Sequence, residues 1–333
     1  MDVVEATRAD IDDLVAVHAA VDAESEPDVP PVGAAELALE LFRFPASRHQ
    51  RVWLARRDGV PLGTVQVGLP QEANRNHADA FVMVAPEQRG HGCSDALLAT
   101  ALRSVEAERD VLRSWVEAGV ASTLCERLGL TQRQVVRYDR LRISTVDDDQ
   151  QRAWIDEGPA AALGYRIVTW RGPAPDEHLT EVGAARDAMA DAPIGDIEYE
   201  ITKTTPEQLR DEESAVEGRL DTFGALALAA DGAAAGFTEI FVRVHRPSVG
   251  YQGDTAVAAA HRGHGIGRWL KAVNLAQARA AHGELELLTT FNAETNPWMI
   301  AINQAMGYVP HKTYLAYQGS LAGALEVLEV RDR

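Results

Sequence analysis

The sequence predicts an α/β protein made of two similar units in one chain. The motif Arg89-Gly90-His91-Gly92 recurs as Arg262-Gly263-His264-Gly265, after an interval of 173 residues (262 − 89) in a chain of 333. An interval that long indicates that a whole structural unit has been duplicated. Each copy follows a short apolar stretch, at residues 80–85 and 255–260, and precedes an apolar pattern with the period of a helix. A strand, a glycine turn and a helix are therefore expected in both units.

The segments before each glycine turn also correspond between the two halves. Each half begins with a predicted strand and an acidic helix, at residues 3–7 and 9–24 and again at 165–170 and 176–189. Two predicted strands follow, joined by an Asp-Gly turn, at residues 50–57 and 60–69 and again at 222–230 and 236–245. Both halves are thus expected to contain a β-hairpin before the glycine turn.

After each turn, a strand and a helix that ends at glycine complete the unit. The first half has a predicted strand at residues 111–117 and a helix ending at Leu128-Gly129, and the second has a strand at 285–291 and a helix ending at Met306-Gly307. The run Asp147-Asp148-Asp149 interrupts the pattern between the halves. We therefore predict one domain over residues 1–145 and another over residues 146–333.

The composition argues against several classes of protein. The chain has 32 Lys and Arg against 50 Asp and Glu, a net charge of −18, so nucleic acid is not an expected partner. No apolar run is long enough for a membrane helix, and the acidic start is unlike a secretory signal, which predicts a cytoplasmic protein with no membrane partner. Cys93 and Cys125 provide neither a disulfide framework nor a metal-ligand cluster, so no metal is expected.

The glycine turns are suited to binding phosphate. Amides at a helix start, with the positive end of the helix dipole behind them, hold phosphate without basic side chains, and glycine lets the phosphate approach the backbone. The turns lack the Lys-Ser/Thr ending of a nucleoside-triphosphate loop, and at least three predicted strands precede them, unlike a dinucleotide-binding motif. A different ligand containing pyrophosphate is expected, and a tight turn without a ligand is the alternative.

Two segments of the second half resemble a known family. Residues 261–267, His-Arg-Gly-His-Gly-Ile-Gly, resemble the Arg/Gln-x-x-Gly-x-Gly/Ala signature of the GNAT superfamily of acyl-CoA-dependent N-acetyltransferases. Residues 296–308 are similar to its fourth-helix motif, which ends in Gly-Phe or Gly-Tyr. With the repeat in the first half, the resemblance covers nearly the whole chain, as in tandem GNAT proteins. It implies two α/β domains, each with a mixed, mostly antiparallel sheet flanked by helices, in which the fourth and fifth strands splay apart.

The resemblance also implies where acetyl-CoA, the expected cosubstrate, binds. The pantetheine arm would occupy the slot between the splayed strands, and the phosphates would meet the turn and the helix after it. The basic residues Arg268 and Lys271 are candidates for further phosphate contacts, with an exposed, solubilising helix face as the alternative. The acetyl-CoA-binding residues implied in this way are Val257, Ala259, Arg262, Gly263, His264, Gly265, Ile266, Gly267, Arg268 and Asn296.

The second half is the predicted catalytic domain, and the first is predicted to be degenerate. In the first half Ser94 replaces Gly267, and the Ser94 hydroxyl can cap the helix and compete for the amides that a phosphate would use. Phe81 likewise replaces Asp254 and cannot accept a proton. Cys93 is not an expected nucleophile, because in GNAT chemistry the amine attacks the acetyl group directly.

The catalytic candidates are residues that could handle protons or hold the CoA sulfur, because the reaction needs a neutral amine and a proton for the departing thiolate. Glu239 and Asp254 lie on or near the strands before the turn, and a solvated strand position is the alternative for each. Many GNAT enzymes carry an acidic tyrosine four residues before the fourth-helix glycine, but here that residue is Asn303, which can bond the CoA sulfur or a water molecule. Tyr308 and Tyr314 are the nearby tyrosines, with a core position as the alternative for Tyr308.

Together these features predict an N-acetyltransferase that moves an acetyl group from acetyl-CoA to a primary amine of a small molecule or peptide by direct attack. The acidic composition favours a cationic acceptor, although acidity also commonly serves solubility alone. A mycothiol synthase-like acetyltransferase is a narrower alternative, and a CoA-binding or sensing protein without activity is a different one. The sequence does not indicate the oligomeric state.

Overall fold

The computed structural model describes residues 1–156, 158 and 163–331, and the chain divides into two compact units. Unit 1 consists of Met1–Val135, Gly195–Glu200 and the chain from Thr313 onward. Unit 2 consists of Val136–Ile194 and Ile201–Lys312. Part of the second predicted domain lies outside the described residues, namely 157, 159–162, 332 and 333.

The secondary structure of the described residues consists of strands β1 to β12 and helices α1 to α10. The strands are β1 (Asp2–Glu5), β2 (Arg48–Arg57), β3 (Val60–Pro70), β4 (His77–Val84), β5 (Val111–Glu117), β6 (Thr131–Arg142), β7 (Arg166–Arg171), β8 (Leu220–Leu228), β9 (Ala234–Arg243), β10 (Arg246–Val257), β11 (Leu287–Ala293) and β12 (Val309–Ser320). The helices are α1 (Ile11–Ser25), α2 (Ala34–Phe42), α3 (Cys93–Arg103), α4 (Val120–Arg127), α5 (Asp148–Asp156), α6 (Leu179–Asp187), α7 (Pro206–Val216), α8 (Ile266–Ala281), α9 (Pro297–Ala305) and α10 (Leu321–Arg331).

Unit 1 is a mostly antiparallel sheet covered by helices. Its strand order is β1-β2-β3-β4-β5-β12, and only β4 and β5 pair in parallel. One hydrophobic core joins the sheet to α3 and α10, where Leu97, Leu102 and Leu325 are buried. A second core lies under α1 and α2, around Leu14 and Leu37. Apolar side chains at helical spacing thus give each helix one buried face against the sheet.

Unit 2 repeats this arrangement. Its strand order is β6-β11-β10-β9-β8-β7, and among its described strands only β10 and β11 pair in parallel. One core contains Leu275 of α8 and Tyr308 together with buried residues of the sheet. Another contains Val182 of α6 and Leu209 of α7. The predicted fold class, an α/β protein with mixed, mostly antiparallel sheets flanked by helices, is confirmed.

The two units exchange strands relative to the halves of the sequence. β6 follows the first repeat along the chain, but from Val136 it belongs to unit 2 and pairs with β11. β12 follows the second repeat, but from Thr313 it belongs to unit 1 and pairs with β5. Neither unit therefore coincides with a continuous half of the chain. The division into domains 1–145 and 146–333 remains a prediction drawn from the sequence repeat.

Candidate active site

A slot opens between β10 and β11 in unit 2. The two strands pair in parallel over three residue pairs, ending at Tyr251 and Thr289. Beyond this point β10 continues in antiparallel pairing with β9, while β11 pairs with β6 on its other side. Strands that diverge in this way leave backbone groups for an extended ligand to pair with. The residues predicted to pair with pantetheine lie at the open end, since Val257 ends β10 and Ala259 begins a short 3₁₀ helix.

The glycine turn of unit 2 leads directly into α8. Gly263 and Gly265 have φ angles of +81° and +74°, in the left-handed region that favours glycine, and Gly265 is the N-cap of α8. A Cβ atom added to Gly263 would meet no atom within 4 Å, so the space beside the turn is open. Open space at helix-start amides that no side chain caps fits a phosphate group. The same geometry recurs in unit 1, at Gly90 and Gly92, with φ angles of +80° and +78°.

The first residues of α8 face in different directions. Ile266 and Gly267 are buried, whereas Arg268 is exposed near an aromatic ring of α5. A Cβ atom on Gly267 would lie 3.4 Å from Ile302 Cδ1 and 3.7 Å from Val257 Cγ2, which is ordinary van der Waals contact. Position 267 therefore accepts only a small residue where α8, α9 and the end of β10 meet.

Three side chains predicted to bind acetyl-CoA have partners within the protein. Arg262 Nε donates to the Val257 carbonyl oxygen at 3.0 Å, and its Nη2 lies 2.7 Å from the Asp191 carboxylate. His264 Nδ1 lies 3.2 Å from a carbonyl oxygen of the preceding 3₁₀ helix. Asn296 Oδ1 accepts a hydrogen bond of 3.2 Å from the backbone of α9 and caps that helix. These contacts shape the turn and the helix start, and ligand binding by the three side chains stays a prediction.

β10 carries a bulge opposite Glu239. The register between β9 and β10 shifts between Gln252 and Thr255, which leaves Gly253 and Asp254 facing the single residue Glu239. Gln252 Nε2 donates to the carbonyl oxygens of Glu239 at 2.5 Å and of Gly253 at 3.2 Å, so this buried amide holds the bulge. The bulge brings the two predicted catalytic carboxylates together, and the negative charge of Asp254 raises the pKa of Glu239.

Aromatic rings pack beside the bulge and explain its glycine. A Cβ atom on Gly253 would lie 2.6 Å from Phe241 Cε2 and 3.4 Å from Glu239 Cβ. The Phe241 ring also stacks on Tyr251, with ring centroids 4.9 Å apart. The Phe241 ring therefore occupies space that any larger residue at position 253 would need.

Glu239 is far less acidic than an ordinary glutamate. Its side chain is 15% exposed, and burial raises its pKa to about 7, with Arg186 opposing the rise and the negative charges of Asp254 and Glu212 adding to it. Arg186 Nε lies 3.9 Å from Glu239 Oε1, and Arg186 Nη1 bonds Glu212 at 2.5 Å. The pKa of Asp254 is raised as well, chiefly because the surrounding protein reduces the solvation of its carboxylate, although Asp254 is an exposed residue. A carboxyl group with a pKa near 7 is suited to general base catalysis at neutral pH.

Unit 1 has a similar slot, but it lacks the bulge and the two carboxylates beside it. β4 and β5 also pair over only three residues before they diverge. However, β3 and β4 pair without a register shift through Gln66 and Phe81, which stand at the positions of Glu239 and Asp254. An amide and a phenyl ring in a regular ladder supply no proton acceptor at this point of unit 1.

Asn303 and Tyr308 lie in the interior of unit 2. The Asn303 side chain is 0% exposed, and among the described residues neither Oδ1 nor Nδ2 has a hydrogen-bond partner. The backbone N–H of Tyr308 donates to the Asn303 carbonyl oxygen at 3.0 Å. Burial, reinforced by the charge of Asp139, raises the pKa of the Tyr308 phenol, which therefore stays protonated at neutral pH. A buried amide without a partner is costly, and a ligand or water molecule at Asn303 would remove that cost.

Two residues near these groups differ from the sequence prediction or were missed by it. Lys271 was a candidate for phosphate contact with an exposed helix face as the alternative, but its side chain is 1% exposed. The exposed interpretation of Lys271 is wrong, because α8 buries this face. The spacing of Lys271 from Gly267 and Leu275, both one helical turn away and buried, is the signal that could have shown it. Arg186 was missed, and nothing in the sequence links α6 to Glu239.

Other features of the described residues bear on the class of chemistry. Cys93 and Cys125 are buried, and burial raises the pKa of both thiols to about 11, so neither is a ready nucleophile. Among residues 1–156, 158 and 163–331, no group of three or more His, Cys, Asp or Glu side chains is placed to hold a metal ion. None of the described helices has the length and apolar composition needed to cross a bilayer.

The sequence matches the model of the acetyltransferase (GNAT) family in two regions, residues 18–128 and 193–308. The chain therefore belongs to the GNAT acetyltransferase family, as a tandem member with two copies of the domain. The class of reaction is acyl transfer from an acyl-CoA to an acceptor.

Individual relatives share this tandem organisation or fold. Over 251 residues, 72% of this chain and 77% of the other, the sequence is 28% identical to mycothiol acetyltransferase from Tsukamurella paurometabola. A solved tandem GNAT protein from the clavulanic acid biosynthesis pathway is 25% identical, with a TM-score of 0.80, and the match covers 96% of this chain and 98% of that one. A GCN5-related N-acetyltransferase from Sphaerobacter thermophilus, 15% identical with a TM-score of 0.68 over 96% and 95% of the two chains, shares the fold.

Proposed function

We propose that this protein transfers an acetyl group from acetyl-CoA to a primary amine and that the reaction takes place in unit 2. The observation that carries the proposal is the placement of Glu239, a carboxyl group with a pKa of about 7, opposite the bulge of the strand that borders the slot. The glycine turn, with open space beside Gly263 and a left-handed Gly265 at the start of α8, supports the same unit as the site for the phosphates.

The proposed reaction assigns the proton of the amine to Glu239. The acceptor enters as an ammonium ion, loses a proton to the Glu239 carboxylate, and attacks the thioester carbonyl carbon as a neutral amine. A C–N bond forms, the C–S bond breaks, and the CoA thiolate leaves with the electron pair and takes up a proton. Backbone N–H groups along the diverging part of β10 would polarise the carbonyl oxygen. Asp254 would help to hold the ammonium ion beside Glu239.

The proposed binding of acetyl-CoA uses backbone more than side chains. The amides from His264 to Arg268, with the α8 dipole behind them, would hold the pyrophosphate. Val257 and Ala259 would pair with pantetheine at the mouth of the slot. Gly267 leaves the mouth of the slot open, because a larger side chain at this position would meet Ile302 and Val257.

The charges around Glu239 support a cationic acceptor. Glu239, Asp254 and Glu212 interact with one guanidinium, that of Arg186, so carboxylates outnumber it in this group. Phe241, stacked beside the bulge, adds an aromatic ring, and rings attract ammonium ions. Small polyamines, aminoglycoside-like amines and basic peptide ends have the required chemistry.

A second candidate activity comes from the relatives. The 28% identity to a mycothiol acetyltransferase favours a mycothiol-type acceptor as the narrower alternative. A CoA-binding or sensing protein without turnover is the alternative from another class, which Asn303 in place of the usual tyrosine and Ser94 in unit 1 favour.

Mass spectrometry tests the proposed function. The intact protein is incubated with acetyl-CoA and a panel of amines that contains spermidine, an aminoglycoside, a lysine peptide and the desacetyl form of mycothiol. An acetylated amine that forms only with the protein supports the proposal and identifies the acceptor. Binding of acetyl-CoA by calorimetry, with no product from any amine, would instead indicate the sensing alternative.

A further inference from the structure

Three buried polar side chains of unit 2 stand where unit 1 has apolar ones. To find the corresponding residues of unit 1, Lys271 is aligned on the glycine turns Gly92 and Gly265. Asn303 and Tyr308 are aligned on Gly129 and Gly307, the glycines that follow α4 and α9. The three pairs are Lys271 and Leu98, Asn303 and Cys125, and Tyr308 and Leu130. The unit 1 residues all belong to one hydrophobic core. These three interior positions are thus apolar in unit 1 and polar in unit 2.

Lys271 is a buried basic side chain with no counter-ion among the described residues. Its side chain is 1% exposed, and its Nζ atom lies 5.7 Å from the centroid of the Tyr308 ring. Burial lowers its pKa to about 7. Burying an ammonium group without a counter-ion is unfavourable, and Leu98 shows that the fold accepts an apolar residue at this position. A costly buried charge of this kind points to a function.

Lys271 lies on the face of α8 that leads inward from the slot. Gly267 precedes it by one helical turn on the same face, and a Cβ atom there would be 3.7 Å from Val257 at the end of β10. The same Cβ atom would be 3.4 Å from Ile302 of α9, the residue before Asn303. Tyr308 joins the group, since it contacts Lys271 by its ring and Asn303 by its backbone N–H.

We propose that Lys271 donates the proton that the CoA sulfur takes up when the thioester breaks, and that the Asn303 amide holds the sulfur or a bridging water molecule. This inference rests on the acetyl transfer proposed above. The C–S bond breaks with its electron pair on sulfur, one N–H bond of the Lys271 ammonium breaks, and an S–H bond forms. Lys271 then regains a proton from solvent. The proton that Glu239 takes from the amine is a separate one.

Among the described residues, no charged group is found to shift the pKa of Lys271, whose lowering comes from burial alone. Tyr308, the residue before β12, faces Lys271, and Asp139 of β6 influences the Tyr308 phenol. Helix α9 contains no ionisable side chain, and from α5 Asp148 bonds Arg279 on α8. An ammonium group beside the sulfur would therefore be the main cause of a lowered pKa of the CoA thiol.

Titration of bound CoA tests this inference without an amine substrate. The ultraviolet absorbance of the thiolate is followed against pH in the complex of the full protein with CoA, with the desulfo-CoA complex as the blank. Because the ammonium and the thiolate stabilise each other, Lys271 keeps its proton while the neighbouring thiol loses its own. We therefore expect the pKa of the bound thiol to lie about one unit or more below that of free CoA. The lowering should disappear in Lys271→Met and persist in Lys271→Arg.

Matched variants separate the possible failures. Leu98→Met makes the corresponding change in unit 1 and should leave the thiol pKa at the wild-type value. Calorimetry at a pH where the bound thiol keeps its proton should show unchanged CoA affinity for all variants, and Lys271→Gln replaces Lys271→Met if circular dichroism shows loss of fold. The role of Lys271 would be overturned if the folded Lys271→Met or Lys271→Gln variant lowered the thiol pKa as much as the wild type does. It would also be overturned if the wild type did not lower the thiol pKa. Either result would leave the proposed acetyl transfer standing. If the wild type does not bind CoA, the proposed function falls as well.

Discussion

Arg186 Nε lies 3.9 Å from Glu239 Oε1, and this guanidinium restrains the pKa of a carboxyl group that burial would otherwise raise further. The pair joins α6 to β9 at the residue opposite the bulge, although the two residues are distant in the sequence. Because Arg186 also bonds Glu212, its position is fixed by a second carboxylate. The pKa of the proposed base is therefore set in part by α6, a helix separate from α8 and its glycine turn.

Replacing Glu239 by glutamine should remove the proton acceptor while preserving size and hydrogen bonding. We expect kcat/KM to fall on the order of 10²-fold or more, because general base catalysis contributes about that much. Acetyl-CoA affinity, measured by calorimetry, should stay at the wild-type value. Gln66→Leu at the corresponding place in unit 1 is the control and should have little effect. Wild-type turnover by Glu239→Gln would rule Glu239 out as the base.

The pH profile should report the Glu239 carboxyl group. Below its pKa of about 7 the group is protonated and cannot accept a proton, so kcat/KM should rise with pH on the acid side of the profile. Because the proposed donor Lys271 must keep its proton, kcat/KM should fall again on the alkaline side. Arg186 lowers this pKa, and Arg186→Met should therefore move the rise to higher pH. Arg152→Met removes an exposed arginine of α5 and should leave the profile in place. An unmoved profile in Arg186→Met would contradict the assignment.

Matched valine substitutions at Gly265 and Gly92 should distinguish the two units. Both glycines have left-handed φ angles, so both variants should lose similar stability, about 1–2 kcal/mol from backbone strain. Only Gly265→Val should lower kcat/KM by on the order of 10²-fold, which corresponds to about 2.7 kcal/mol. Thermal unfolding and steady-state kinetics measure the two effects. Equal kinetic losses in two folded variants would mean that both units contribute to turnover.

Gly253→Ala should disturb the bulge without removing any charged group. The added Cβ would lie 2.6 Å from the Phe241 ring, so the ring or the strand must move, at a cost of about 1–3 kcal/mol in unfolding free energy. We expect a lower kcat with little change in acetyl-CoA affinity, because the turn is untouched. Unit 1 has Ala80 at the corresponding position of its regular strand, and Ala80→Gly is the control. Unaltered kcat in Gly253→Ala would show that the reaction does not depend on the bulge.

Asn296 can be tested as a helix cap separately from any contact with acetyl-CoA. Asn296→Ala removes the side-chain acceptor at the start of α9 and should cost about 1 kcal/mol of stability in a denaturant titration. Asn296→Asp keeps an acceptor and should restore that stability. If the Asn296 amide N–H₂ also donates to acetyl-CoA, both variants should lose affinity, because aspartate keeps the cap but lacks the donor. Wild-type affinity in the aspartate variant would limit Asn296 to its capping role.

Much of the fold could be predicted from the sequence because its signals are local. The Asp58-Gly59 turn places both residues at positive φ, +53° and +80°, and joins β2 to β3 as expected from the sequence. The glycine turns and the helices after them follow from the same kind of signal. The predicted strand at 111–117 has the bounds of β5. Strands β6 and β12 were not predicted, because their pairing partners lie far away in the sequence.

The candidate site was predictable in its residues but not in its geometry. Glu239 and Asp254 could be chosen as acidic positions near the turn, whereas the bulge that brings them together depends on the register between two strands. The same register allows Phe241 to pack against Gly253. The buried state of Lys271 depends on what packs against α8. Patterns along one element cannot contain these distant contacts.

The strand exchange has a consequence for how the protein is made. The sheet of unit 1 needs β12, whose pairing with β5 runs from Tyr314 to Ser320. During synthesis β1 to β5 leave the ribosome long before this strand exists, so the hydrogen-bonding edge of β5 must wait, open to water or to a chaperone, while more than half of the chain is still being translated. The earliest part of the protein to be synthesised is therefore among the last to be completed.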